Sequence, residues 1–186
     1  MTHRASDAQL ILHHWREAVP DDRLAHLIKD ATRALVRALQ VRLAEHKVSF
    51  GHWAFLRILW ECDGFTQREL SERAGVMEPT TYAALKSMER LGYIVRRRMD
   101  GDRKRAYVFL TPKGRALKNR LVPLAEAVNS VAIRGVRAAD VDTTRYVLLT
   151  IIANLAQDEE ASDKPMPSTR ALAQLQPRRR RHRKRA

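Results

Sequence analysis

The chain has 186 residues, 45% of them hydrophobic, and its 35 Lys and Arg against 21 Asp and Glu give a net charge of +14. That length suffices for one solid core, or for one domain plus a dimerisation layer, and the basic balance favours nucleic acid as partner through counterion release. A single cysteine excludes an intramolecular disulfide framework. The absence of CxxC, HExxH or a phosphate-binding glycine loop leaves catalysis, a cofactor and a structural metal without support.

Residues 7–18, DAQLILHHWREA, have the spacing of a short amphipathic helix, and Pro20-Asp21-Asp22 separates them from the next helix. Asp22 can cap that long helix, which bears Leu24, Leu27, Ile28, Ala31, Leu35, Leu39 and Leu43 on one side. Residues 50–61, FGHWAFLRILWE, read as a strongly apolar helix ended by Gly64. Thr66 to Leu117 then reads as helix, tight turn, helix, strand, charged turn, strand, helix. Thr66 and Glu69 have the spacing of a capping box. Gly75 can take the positive φ that ends a helix, and Pro79 suits the first turn of the next one. There Thr81, Ala84, Leu85 and Met88 recur at helical spacing and should face inward. The opposite face is Glu78, Thr80, Tyr82, Ala83, Lys86, Ser87 and Arg90, and Gly92 ends the helix. Tyr93 to Arg98 form a strand, Asp100-Gly101-Asp102 a hairpin turn, and Tyr107 to Leu110 the returning strand. Thr111-Pro112 opens another helix.

Helices over 112–134 and 141–156 come next, with a kink or break expected at Pro123. Their Leu117, Leu121, Leu124, Val128, Val131, Val147, Leu148, Ile151, Ile152 and Leu155 exceed what one small domain needs, which points to a partner chain. From Gln157 the composition turns polar, and the chain ends QPRRRRHRKRA. This segment reads as disordered: either a salt-dependent phosphate binder or a dispensable solvated tail. No run of about eighteen apolar residues marks a transmembrane helix, and the N-terminus lacks a signal-peptide pattern. The expected location is the cytoplasm.

The order of elements is that of a winged helix-turn-helix in a mainly α (α+β) fold, with polar or basic side chains where DNA would lie. TQREL, PTTYAALKSMERLGYIVRR and DRKRAYVFLTPKGRAL, in that order and spacing, resemble the MarR (multiple antibiotic resistance regulator) family of transcriptional regulators. The resemblance is strongest over Thr66 to Leu117 and extends from Arg23 to about Asp158. It implies an obligate homodimer of triangular outline and three segments: an N-terminal extension (1–22), a MarR-like domain (23–158) and a basic tail (159–186). Within the domain the winged helix-turn-helix covers about 50–112, with dimerisation helices at about 23–46 and 112–157.

On this reading the chain is a sequence-specific DNA-binding regulator, a repressor of ligand-responsive genes. Thr80, Thr81, Tyr82, Lys86 and Ser87 are the candidate major-groove contacts, and Gln67 and Arg68 the candidate phosphate contacts. Arg98, Arg103, Lys104 and Arg105 belong to a wing over the minor groove, with Asp102 orienting it through an ion pair. A twofold dimer implies a near-palindromic operator on double-stranded DNA. The family wing carries Asp, any residue, Arg; here those positions are Asp102, Arg103 and Lys104, so Arg103 or Arg105 would take the arginine's part. Many members have Arg where this chain has Ala83.

The resemblance also implies a small-molecule effector, an aromatic acid or its coenzyme A thioester, between the dimer helices and the winged domain. His52, Trp53 and Arg57 stand on the helix where that pocket would lie, although Trp53, Leu56 and Trp60 equally suit core packing. Cys62 raises a redox alternative, but sensor cysteines of relatives sit near the N-terminus, so a structural cysteine is expected. The rival from another class is an architectural protein that coats DNA without sequence preference, using its basic tail.

Overall fold

The computed structural model describes residues 9, 11–13, 15, 24–99 and 102–162, without the side chains of Arg103 and Lys104. The expected helix cap at Asp22 and the turn residues Asp100 and Gly101 lie outside the described residues; of the segment expected to be disordered from Gln157, residues 157–161 are helical, continuing the last helix, and those from 163 lie outside the described residues. In chain order the elements are α1 (Leu24–Ala44), α2 (Phe50–Glu61), β1 (Phe65–Thr66), α3 (Gln67–Ala74), α4 (Glu78–Arg90), β2 (Ile94–Met99), β3 (Asp102–Leu110), α5 (Pro112–Ala116), α6 (Lys118–Ala132) and α7 (Ala138–Ala161). The described residues of the 7–18 segment are helical, and Trp15 Nε1 donates to Asp30 Oδ2 at 3.0 Å. The chain divides into two compact units, Met1–Arg134 and Gly135–Ala186.

The first unit is built around α2, whose Trp53, Phe55, Leu56 and Leu59 are buried together with Leu39 and Leu43 of α1, Leu70, Leu85, Met88, Val108, and Leu121 and Val128 of α6. Each such side chain contributes about 1.5–3 kcal/mol by leaving water. The three-stranded antiparallel sheet has the order β1-β3-β2, with Phe65 opposite Val108 and Ile94 opposite Leu110. Only Leu39 and Leu43 of the long α1 stripe are buried; Leu24, Leu27 and Leu35 remain exposed.

The helix expected over 112–134 is two helices. The interruption falls at Leu117, and α6 runs on through Pro123. Thr111 starts α5 by accepting from Gly114 N at 3.0 Å, and the Leu117 carbonyl accepts from Arg120 N and Leu121 N, which starts α6 afresh. Pro123 therefore lies six residues into the new helix without ending it.

Among the described residues, the helix of the second unit is α7. It begins three residues before the expected start, where Arg137 makes two bonds to Asp140 at 2.7 and 2.8 Å. None of its residues is buried, although Tyr146, Leu149, Ile152 and Leu155 are apolar or aromatic and each at least 59% exposed.

Candidate nucleic-acid interface

The reciprocal cap at the start of α3 forms as its sequence requires. Glu69 N donates to Thr66 Oγ1 at 3.3 Å, while Glu69 Oε2 accepts from Thr66 N at 2.7 Å and from Thr66 Oγ1 at 2.8 Å. These bonds favour the ionised form and hold the Glu69 carboxyl below its ordinary range. Gly75 ends the helix at φ 62°, a left-handed conformation that costs glycine nothing. Its N–H bonds to Glu72 O, and Val76 N to Ser71 O at 3.1 Å, the paired bonds of a Schellman ending. The turn is short enough that α4 begins at Glu78 with Pro79 in its first turn.

In α4 the periodicity decides which side chains are available. Leu85 and Met88 are fully buried, and so is Thr81, whose Oγ1 donates to Met77 O at 3.3 Å. The sequence offers Thr81 both as an inward residue and as a base contact; the structure allows only the first. Thr80, Tyr82 and Lys86 are exposed, and Ser87 is half-buried. Tyr82 is 48% exposed, with the guanidinium carbon of Arg96 5.7 Å from its ring centre.

The wing strands do not pair evenly. Arg97 lies opposite Tyr107 and Met99 opposite Asp102, which leaves Arg98 of β2 facing residues 103–106 of β3. This bulge turns Asp102 back along its own strand. Its Oδ1 accepts from Arg105 N at 3.2 Å and its Oδ2 from the Tyr107 hydroxyl at 3.0 Å. The bond to Asp102 raises the Tyr107 phenol above its ordinary range. Arg105 Nε lies 3.8 Å from Asp102 Oδ2, with the arginine side chain 71% exposed. Arg97 and Arg98 are exposed as well, whereas Arg96 is half-buried. Arg103 and Lys104 have backbone positions on β3; their side chains lie outside the described residues.

Gln67 and Arg68 open α3, with Gln67 half-buried and Arg68 exposed. Arg68 Nε meets Glu72 Oε1 at 2.9 Å, and both side chains are well exposed. A solvent-exposed pair of that kind is weak and screened by salt, so a phosphate can displace the carboxylate. A cleft of about 700 Å³ separates this helix start from Arg105 and Ala106; Glu69, Glu72 and Glu78 also line it, so the ground between helix and wing is mixed in charge.

His52, Trp53 and Arg57 do not form one open surface. Trp53 is buried and meets Trp60 edge-on, with ring centres 5.6 Å apart. Arg57 is exposed. His52 caps its own helix: His52 N donates to Ser49 Oγ at 3.1 Å, and Nδ1 accepts from Ser49 N at 3.5 Å. Burial pushes the His52 imidazole below its usual pKa, and an accepting Nδ1 requires the neutral ring. The stabilisation is therefore complete above the unfolded value of about 6.5 and is lost as pH falls through the lower folded value. Gln suits this third helical position. His52→Gln should hold stability at pH 7.5 within about 0.5 kcal/mol and remove part of the loss seen at pH 5.5. Urea midpoints of both proteins at the two pH values check this.

Cys62 is exposed, and its Sγ lies 3.5 Å from Asp63 O. Three positioning features are not apparent from the sequence. Asp63 Oδ2 accepts from Leu110 N at 3.1 Å and from Arg115 at 2.8 Å, which fixes the base of the wing to α5. Trp60 Nε1 donates to Gly114 O at 2.9 Å. Arg96 turns away from the wing towards Glu89. Long-range pairings of this kind leave no local spacing signal; alternation along β2 is the one clue to Arg96.

The sequence profile of the MarR family matches residues 48–106, which run from the start of α2 into the wing. The crystal structure of transcriptional regulator PA3341 superposes with a TM-score of 0.65 at 30% identity, over 73% of this chain and 99% of that one. The chain belongs to the MarR family. It is 31% identical over 111 residues to the HTH-type transcriptional regulator TtmR of Methylorubrum extorquens, covering 60% of this chain and 57% of that protein. It is 29% identical over 99 residues to the homoprotocatechuate degradative operon repressor of Escherichia coli, covering 53% and 67% respectively. The chain thus spans little more than half the length of TtmR. Within the MarR pattern, Arg105, one position beyond the usual arginine, pairs with Asp102 among the described side chains. Among the described residues no helix is long and apolar enough to cross a membrane.

Proposed function

We propose that this protein is a sequence-specific DNA-binding transcriptional regulator that works as a homodimer and represses its target genes. The observation that carries the reading is the outward face of α4. Thr80, Tyr82 and Lys86 stand exposed on a helix whose other side is locked into the core by Thr81, Leu85 and Met88. A helix so held can enter a major groove as a rigid body. The exposed Arg97, Arg98 and Arg105 of the wing supply the cations for the neighbouring phosphates or minor groove. Gln67, Arg68 and Ser87 complete the proposed contact set, with Arg103 and Lys104 next to the wing tip.

The dimer is supported by α7. A helix with exposed apolar residues on all sides is unstable in water without cover, and a second copy supplies that cover with closed symmetry. Repression is supported by the E. coli relative, which is named as an operon repressor. An effector, an aromatic acid or its thioester, belongs to the same proposal, but a pocket made jointly of His52, Trp53 and Arg57 does not: one is core, one is a cap and one is at the surface.

Competition between specific and random duplexes at fixed, near-physiological salt tests the regulator against the DNA-coating alternative. A specificity ratio of roughly a thousandfold or more fits a regulator; a ratio near one sinks the proposal. Tyr82→Ala should shift base preference at one position per half-site by about 1–3 kcal/mol, with little change in salt dependence. Binding to single-base-pair variants of the preferred duplex measures it.

A further inference from the structure

Arg96 lies in a run of three arginines, yet its side chain leaves the wing. Its Cα pairs with that of Val108, which is 1% exposed, and residues opposite each other in an antiparallel pair share a face. Arg96 is thus on the covered face, its side chain 23% exposed. From there the guanidinium reaches α4. Nη2 meets Glu89 Oε2 at 3.2 Å, and Cζ lies 5.7 Å from the centre of the Tyr82 ring. Nε is buried without a hydrogen-bond acceptor among the described residues.

For folding alone this is a poor choice. A partly buried guanidinium with an unmet donor loses hydration without full return, and an apolar side chain of similar length in such a place is often neutral or stabilising. What Arg96 supplies and a methionine would not is a cation against the Tyr82 ring, tied about two turns further along the same helix by Glu89. Tyr82 is the largest exposed side chain on the outward face of α4. Held by Arg96, its ring is biased towards one orientation before any duplex arrives, so less rotamer freedom is lost on docking.

We propose that Arg96 is a positioning residue for base discrimination: without touching DNA, it fixes the ring of Tyr82 and so sharpens the base preference beneath it. This rests on the DNA-reading function proposed above.

The test uses the full chain, its preferred duplex selected from a random library, and every single-base-pair variant of that duplex. Arg96→Met is expected to melt within a few degrees of wild type or above it. Its discrimination at the positions set by Tyr82 should fall roughly threefold to tenfold, while the salt slope stays unchanged. Arg96→Lys should recover part of the loss, and Glu89→Gln should reproduce it more weakly. In a Tyr82→Ala background, Arg96→Met should change nothing further. A wild-type motif left intact by Arg96→Met overturns this inference alone. So does a large fall in its melting temperature, which would make Arg96 a residue that holds the fold. A wild-type chain that selects no motif overturns the DNA-reading function and this inference with it.

Discussion

Arg103→Ala combined with Lys104→Ala is expected to weaken binding to every duplex roughly tenfold to hundredfold at low salt and to reduce the salt slope by about 1.8. Each phosphate neutralised by the protein releases close to one condensed counterion, so removing two cations removes two such contributions. The positions follow from the wing's register. Residues 103–106 bulge opposite Arg98, and Asp102 pins the bulge through Arg105 N and the Tyr107 hydroxyl. Base preference should be nearly unchanged, because charge near phosphates positions the protein and does not read sequence. Titrations at several salt concentrations measure both quantities, with melting curves recorded alongside. An unchanged slope would remove these two residues from the interface.

Gly114→Ala is expected to cost about 3 kcal/mol, a fall in melting temperature of roughly 6–12 °C. A Cβ at this position would run into the carbonyl oxygen of Tyr93 and press on Leu110. That carbonyl is already occupied, accepting from Thr111 N at 3.0 Å, and the Gly114 carbonyl accepts from Trp60 Nε1. Neither side can yield without moving α5 away from the start of β2. Because the wing is anchored there, the variant should also lose DNA affinity at temperatures where it is still folded. Thermal melting with and without duplex separates the two effects. A melting temperature within about 2 °C of wild type would mean that the close approach is absent in solution.

The parts of this structure written in local chemistry are legible from the sequence. The Thr66–Glu69 cap, the left-handed Gly75, Pro79 in the first turn of α4 and the inward set Thr81, Leu85 and Met88 each depend on residues within one or two turns of one another. Thr81 shows how residue type misleads when it is allowed to outweigh phase: a threonine on a reading helix suggests a base contact, but its position in step with Leu85 and Met88 places it inside. Arg96 misleads in the same way, since a run of like charges suggests a solvated edge while strand alternation directs every second side chain inward. His52 reads as a ligand group because histidine is not the usual partner in a capping box, although Ser49 stands at the required distance before it. The close seating of Gly114 against Tyr93 is a contact between distant segments that helical periodicity does not encode.

Whether α4 and the wing of a twofold dimer read a particular DNA sequence is tested most directly by selection from a random duplex library, using the full chain at about 0.15 M salt. The expected result is a recovered inverted repeat whose half-sites are centred about one helical turn apart. A bound pool indistinguishable from the starting library would contradict it.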